Sequence, residues 1–263
     1  MGRFTSVVAL LVAGCTSEKD GDGDVKDPPV TPVQEDTSFA EDGTDSNAAD
    51  TDVQIVTSSL VSSAPGEVAL ANDLAAYPAR CFTREPASGG DEVTFTFTSC
   101  QGRNGLRDVS GVVVAAATVE PGKLRLELTF TGLAVNGAKI DGSASTDIVA
   151  SGTTRTMTWS ASLSGTTAGG KSFSRQSTHK VSWSLGDACF ALDGTSEGKV
   201  RDREIRTVIQ DFRRCARGCP EAGGKITIST KDQQVSLEYD GTNRATFTGP
   251  NGGTAAIPLF CRP

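Results

Sequence analysis

Alternation of apolar and polar positions dominates the chain from about residue 110 onwards. In LRLELTF, Leu124, Leu126, Leu128 and Phe130 fall on one face and Arg125, Glu127 and Thr129 on the other. TMTWSASLS repeats the arrangement with Met157, Trp159, Ala161 and Leu163, and KVSWSL with Val181, Trp183 and Leu185. QVSLEY, RATFT and AIPLFC carry the same period toward the C-terminus. A period of two with Ser and Thr on the polar side describes antiparallel strands with one face on a core and one in water. Turn residues punctuate them: Asn136-Gly137, the strongest hairpin signal, then Ser151-Gly152, Gly169-Gly170 and Asp240-Gly241. In LELTFTGLAV the apolar phase flips between Phe130 and Leu133, which predicts a bulge around Gly132. The fold class that follows is all-β: a long-stranded antiparallel meander, built as a sandwich or as an open or closed barrel, because one-sided strands must bury that side. One short N-terminal helix is predicted over residues 64–77, where Leu70, Leu74 and Tyr77 recur at helical spacing between Pro65 and Pro78.

The first fifty residues follow other rules. Phe4 to Ala13 is apolar apart from Thr5 and Ser6 and follows Arg3. It is too short to span a bilayer, and its charged start, apolar centre and small residues form the pattern of a secretory signal. Cys15 comes next, and the chain then turns acidic. Thr16 to Asp52 holds twelve acidic residues and two lysines, with Pro28, Pro29 and Pro32. So little apolar surface does not offset ordering entropy, and an extended tether is predicted over residues 15–52. DGDGDVKD fails as a calcium loop, with Val25 where Gly is needed and Thr31 where Glu is needed. The whole chain carries a net charge of −7 and this segment alone −10. The remainder, 53–263, is close to neutral and is read as a single β domain with no basic face for nucleic acid.

Six cysteines remain beyond Cys15, an even number in an exported chain, so three disulfides are expected. The pattern C-F … F-x-x-C occurs twice, at 81–100 and at 189–215, in the manner of an internal duplication. Cys81 and Cys100 are symmetric about Gly90-Asp91, and Cys189 and Cys215 about Asp202, so each pair would face across a hairpin. Cys219 is then left for Cys261. Each bridge would stabilise by about 3–4 kcal/mol. A zinc site on Cys215 and Cys219 lacks ligands in a chain with one His.

Candidate chemistry is sparse. GTSEG (194–198) matches a hydrolase elbow and Ser196 to Lys199 an S-x-x-K motif, but a predicted hairpin surrounds both and the required partner segments are missing. His179, placed at the entrance of the KVSWSL strand, reads as structural. Asp193 would face Asp211 in the Cys189–Cys215 register, with Arg213 diagonal to both. Opposed side chains stand about 5 Å apart, a spacing known from retaining glycosidases. The stretch from Lys199 to Cys219 is locally basic and reads as a solvated hairpin or an anion patch.

Val12-Ala13-Gly14-Cys15 resembles the lipobox of bacterial lipoproteins. With the acidic tether, FTSCQGRNGLRDVSG (97–111) and CARGCPEAGGKITI (215–228), the chain resembles cysteine-containing envelope lipoproteins of Gram-negative bacteria, myxobacteria in particular, that carry no known activity. The resemblance implies cleavage after Gly14, acylation of Cys15 and, with Thr16 next, delivery to the outer membrane. It implies no catalytic residue, metal or cofactor. The expectation is a monomeric, non-enzymatic protein, held in the membrane by its acyl chains, with a binding or structural role at the envelope and an envelope protein, glycan or lipid as partner. Two alternatives stand beside it. One is a carrier enclosing an apolar ligand against the Leu124/Leu126/Leu128 and Trp159/Trp183 faces. The other is a carbohydrate-active hydrolase using Asp193 and Asp211.

Overall fold

Residues 37–61, 69–71, 77–78, 80–86, 92–102, 106–185, 189–215 and 218–259 are described in the structure, a computed structural model. One helix, α1 (Ser38–Ser59), precedes thirteen strands. These are β1 (Phe82–Pro86), β2 (Glu92–Cys100), β3 (Val109–Glu120), β4 (Lys123–Val135), β5 (Ala138–Ser151), β6 (Thr154–Thr166) and β7 (Ser172–Ser184). There follow β8 (Cys189–Val200), β9 (Arg203–Cys215), β10 (Lys225–Ser229), β11 (Gln234–Tyr239), β12 (Arg244–Thr248) and β13 (Thr254–Pro258). All thirteen lie in one antiparallel sheet whose strand order is the order of the chain. The sheet is open: β1 pairs with β2 and β13 with β12, and they do not pair with each other. The all-β antiparallel meander is therefore correct, with its thirteen strands in one hydrogen-bonded sheet.

The helix overturns the predicted tether from Ser38 onwards; residues 15–36 lie outside the described residues. The compact unit begins at Thr37, not at Val53. Acidic composition misled because two of the acids, Asp42 and Asp50, are buried. Asp42, Ser46, Asp50 and Gln54 recur every fourth residue, forming one polar stripe that is buried against the sheet. Phe39, Val53, Val56 and Leu60 flank that stripe and join the core. The helix predicted over 64–77 falls largely outside the described residues. Its described part is extended: Leu70 bridges Val61, and Ala71 N–H donates to Leu60 O.

Pairing confirms the meander and refines its register. Asn136 and Gly137 form the β4–β5 turn, both with positive φ (52° and 93°) as a two-residue turn of this hand requires. The bulge at Gly132 is present, with the register shifting between Phe130 and Leu133 and Gly132 N–H donating to Asp141 Oδ1 at 2.7 Å. The β5–β6 turn is Gly152-Thr153, one residue later than predicted. The β1–β2 ladder from Phe82↔Phe97 to Pro86↔Val93 centres between positions 89 and 90, one residue earlier than the predicted Gly90-Asp91, and Thr98 N–H extends it to Cys81 O. The turn itself lies outside the described residues.

We call the face that meets α1 the inner face. Its apolar residues, among them Phe95, Val113, Leu126, Phe130, Met157 and Trp159, form one continuous core with the helix. The opposite, outer face carries the Ser and Thr positions.

Candidate functional site

Two polar constellations stand out, one on each face of the sheet. On the outer face, the register lines up side chains across four strands. Thr129 pairs with Ser143, Ser143 with Ser162, and Ser162 with Gln176. Beside them Glu127 pairs with Ser145, Ser145 with Ser160, and Ser160 with Thr178. Strand spacing puts successive side chains about 4.8 Å apart in each row, and the rows lie about 6.6 Å apart. They line a groove of about 550 Å³ that continues over Val114 and Ala116 to Glu92. Hydroxyls, one amide and two carboxylates make up its polar lining, and neither a cation nor an aromatic ring lines it. Such a surface donates and accepts hydrogen bonds along a line but offers no nucleophile paired with a base.

On the inner face, β7 and β8 place Arg175, Ser177, His179 and Ser196 at inward positions, all buried. The polar stripe of α1 meets them. Arg175 donates to Ser46 Oγ at 3.0 Å, to Asn47 Oδ1 at 3.3 Å and to Ser196 Oγ, and its Nε lies 3.7 Å from Asp50. Gln54 Nε2 donates to Nδ1 of His179 at 2.6 Å and to Asp50 Oδ1 at 3.1 Å. Nδ1 thus accepts, and the ring is neutral with its proton on Nε2. Burial lowers the pKa of His179, and Arg175 lowers it further against the opposing pull of Asp50. Gly194 faces His179 with φ 145°, and a Cβ there would lie 2.5 Å from the ring, so only glycine fits beneath it.

At the hairpin end of the sheet, the Asp42 carboxylate is fully buried. It accepts both contacts of Arg201 at 2.9 Å, meets Lys171 at 3.0 Å and lies 3.6 Å from Arg203. Burial works to lower the pKa of Lys171, but Asp42 and Asp45 together raise it. Asn136, in the β4–β5 turn, donates to Asp52 at 2.9 Å. Burial pushes the pKa of Asp52 up to about 6, with the Asn136 bond pulling it back.

The seam is not fully satisfied. Gln54 Oε1, Thr57 Oγ1, Trp159 Nε1, Ser177 Oγ and His179 Nε2 are buried without a hydrogen-bond partner among the described residues. Each such atom costs on the order of 1–3 kcal/mol. Beside the helix, Asn47, Ala48, Thr51 and Asp52 face Leu192, Ile209, Phe212 and Ile226 across a cavity of about 200 Å³.

The residues predicted from sequence fall elsewhere. Cys81–Cys100 and Cys189–Cys215 are disulfides, as the symmetry implied. Cys219 is disulfide-bonded, while its expected partner Cys261 lies outside the described residues, as does Cys15. Asp193 and Asp211 do not form a one-to-one cross-strand pair. Leu192 pairs with Phe212 and Gly194 with Ile209, so Asp193 stands opposite two residues, Gln210 and Asp211, in a bulge. There the Asp193 carboxylate accepts from the Asp211 backbone N–H at 2.6 Å, holding Asp211 at φ 50°. Arg213 turns to Glu221 at 3.4 Å. The three do not converge, and their arrangement is that of a stabilised bulge.

His179 is not at a strand entrance but inside β7, which begins eight residues earlier than the predicted KVSWSL strand, at Ser172. GTSEG lies within β8, with no helix after Ser196. The basic stretch is split: Arg201 and Arg203 hold Asp42, Arg213 holds Glu221, and Arg214 donates to Gly218 O. Sequence reading missed α1, Arg175 and the seam; the i+4 stripe of Asp42, Ser46, Asp50 and Gln54 was the available signal. Among the described residues no group of three or more His, Cys, Asp or Glu could hold a metal ion, and no helix is long and apolar enough to cross a membrane. Comparison of the chain with protein families, curated proteins and solved structures finds no match.

Proposed function

We propose that the protein is a non-enzymatic lipoprotein, anchored through Cys15 to the outer membrane, whose β domain binds a polyhydroxylated chain across its outer face. The observation that carries this reading is the double row Thr129–Ser143–Ser162–Gln176 and Glu127–Ser145–Ser160–Thr178, which lines a groove of about 550 Å³. Side chains repeating about every 4.8 Å across strands match an extended polymer better than a compact molecule. Hydroxyls and carboxylates can pair with sugar hydroxyls along its length. An anionic chain would be disfavoured by Glu92 and Glu127, which selects for neutral or amino-bearing glycans.

The binding test is retention of the purified protein on a neutral glycan, chitin, and on an amino-bearing one, chitosan. Ser145→Lys with Ser160→Lys fills the centre of the groove, and retention should fall at least tenfold. Stability should change by only about 0.5 kcal/mol, as at other surface positions. Retention by neither glycan, or equal retention by the variant, removes this reading. Anchoring is tested separately. Metabolic labelling with palmitate should mark the full chain and not Cys15→Ser, and an unlabelled wild-type chain would refute it.

A further inference from the structure

On the β9 and β10 side of the seam, α1 and the sheet leave a cavity of about 200 Å³ between them. Leu192 and Ile209 are buried, Phe212 and Ile226 half-buried, and Ala48 is exposed. The first two therefore form the floor, the next two the sides, and Ala48 marks the mouth. Phe212 is braced edge-on against Tyr239, with ring centroids 5.5 Å apart, so that wall is fixed before anything enters. The helix supplies the polar side through Asn47, Thr51 and Asp52, and Asp52 is the one charged residue in the lining. Its carboxylate also stands apart from its neighbours on the helix. Asp42, Asp45 and Asp50 each meet a Lys or Arg side chain. Asp52 accepts only from Asn136, and among the described residues no cation meets it. Burial raises its pKa to about 6, so near neutral pH it is an anion without a countercharge.

We propose that this cavity binds a small primary amine, with its apolar body on Leu192, Ile209, Phe212 and Ile226 and its ammonium at the Asp52 carboxylate. Volume sets the size of the body. An apolar protein cavity of about 150 Å³ holds benzene, so one ring or a short branched chain fits here. Charge sets the head. A carboxylate or phosphate would meet Asp52 as a like charge. A bare hydrocarbon would take Asn47, Thr51 and Asp52 out of water with nothing in return. An ammonium brings three donors and the opposite charge to the one acid of the lining. The helix keeps its place, and Arg175, Ser177, His179 and Ser196 keep their surroundings, because none of them lines the cavity. The site is separate from the outer groove, so either can fail without the other.

The test titrates the full chain carrying Cys15→Ser with benzylamine and with benzyl alcohol, followed by ligand-observed NMR near neutral pH. The alcohol has the same ring and no charge, and benzylamine should bind at least tenfold more tightly. Asp52→Asn keeps the size of the side chain and an acceptor for Asn136. It should weaken benzylamine at least tenfold and leave the alcohol almost unchanged. Ala48→Phe, at an exposed helix position, closes the mouth and should abolish binding of both. Ser145→Lys with Ser160→Lys, in the outer groove, should leave benzylamine binding as it was. No saturable benzylamine binding by the parent chain overturns the proposal, and so does undiminished binding by Asp52→Asn or by Ala48→Phe. Loss of binding in the groove variant would move the amine to the outer face and overturn it as well. If Asp52→Asn does not fold, Ala48→Phe and the groove variant decide.

Discussion

Between β2 and β6 the inward positions hold Phe95, Val113, Leu126, Phe130 and Met157; between β7 and β9 the equivalent positions hold Arg175, Ser177, His179, Ser196 and Thr207. Strand length and pairing are alike in the two halves, and all of these side chains are buried. What differs is the surface opposite. The first half meets hydrocarbon, and the second meets the polar stripe of α1. Alternation along a strand decides which side chains point inward, and the facing element decides which chemistry is tolerated there. The two halves should therefore fail in different ways. The apolar half loses contacts smoothly when a side chain is shortened. The polar half is coupled, so removing one member strands another.

The largest effect expected from that contrast is at Arg175. Arg175→Met leaves Asp50 buried without its cation and should cost about 3–5 kcal/mol. Adding Asp50→Leu removes the stranded charge and should recover at least half of the loss. In the apolar half, Leu126→Ala should cost about 3 kcal/mol, with no second substitution in the seam able to restore it. Denaturant melts of these three variants and of Asp50→Leu alone measure both. An additive Arg175/Asp50 pair would show that the seam is not coupled.

A smaller effect separates the halves by pH, because His179 and Asp52, both with shifted pKa values, lie along the seam. Burial lowers the folded pKa of His179, so protonation favours the unfolded chain. Its contribution is present above the unfolded value of about 6.5 and is lost as pH falls below it. Asp52 has the opposite sign. Its folded pKa is raised from 3.8 to about 6, so the fold favours the protonated acid and loses stability as pH rises from about 4 to 6. Asp52→Asn should gain about 1–2 kcal/mol at pH 7 and flatten the melting curve between pH 4 and 6. His179→Gln should flatten it just below 6.5. Unchanged pH profiles in both variants would place the acid sensitivity outside the seam.

The sequence showed the apolar half almost completely. Leu124 to Phe130 and Met157 to Leu163 alternate without exception, and the phase slip at Gly132 marked a real bulge. The polar half was legible only from its edges. SFSRQSTHK has one apolar residue at its inward positions, Phe173, so the beginning of β7 gave no amphipathic signal. The same rule hid α1. Its buried stripe is made of Asp, Ser and Gln, and composition assigned those residues to water. Two half-patterns that look solvent-exposed in isolation become a core only when they face each other, and single-strand periodicity carries no information about the facing element. The bulge at Asp193 was invisible for another reason. A one-residue slip inside a hairpin leaves the cysteine symmetry almost unchanged while rotating Asp211 out of line.

Because the strand order of the sheet is the order of synthesis, every hairpin can close as soon as its second strand is made. The helix cannot. Ser38 and Arg203, which bond each other, are separated by 165 positions, so the first element to leave the ribosome is among the last to find its place. SFAEDGTDSNAADTDVQIVTSS is rich in Ser, Asp and Thr, poor helix formers that give little helicity before docking. The stripe that later meets Arg175 and His179 keeps this segment hydrated in the meantime. An apolar stripe would have spent the same interval as a target for aggregation. The chemistry of the seam thus suits the waiting chain as well as the finished fold.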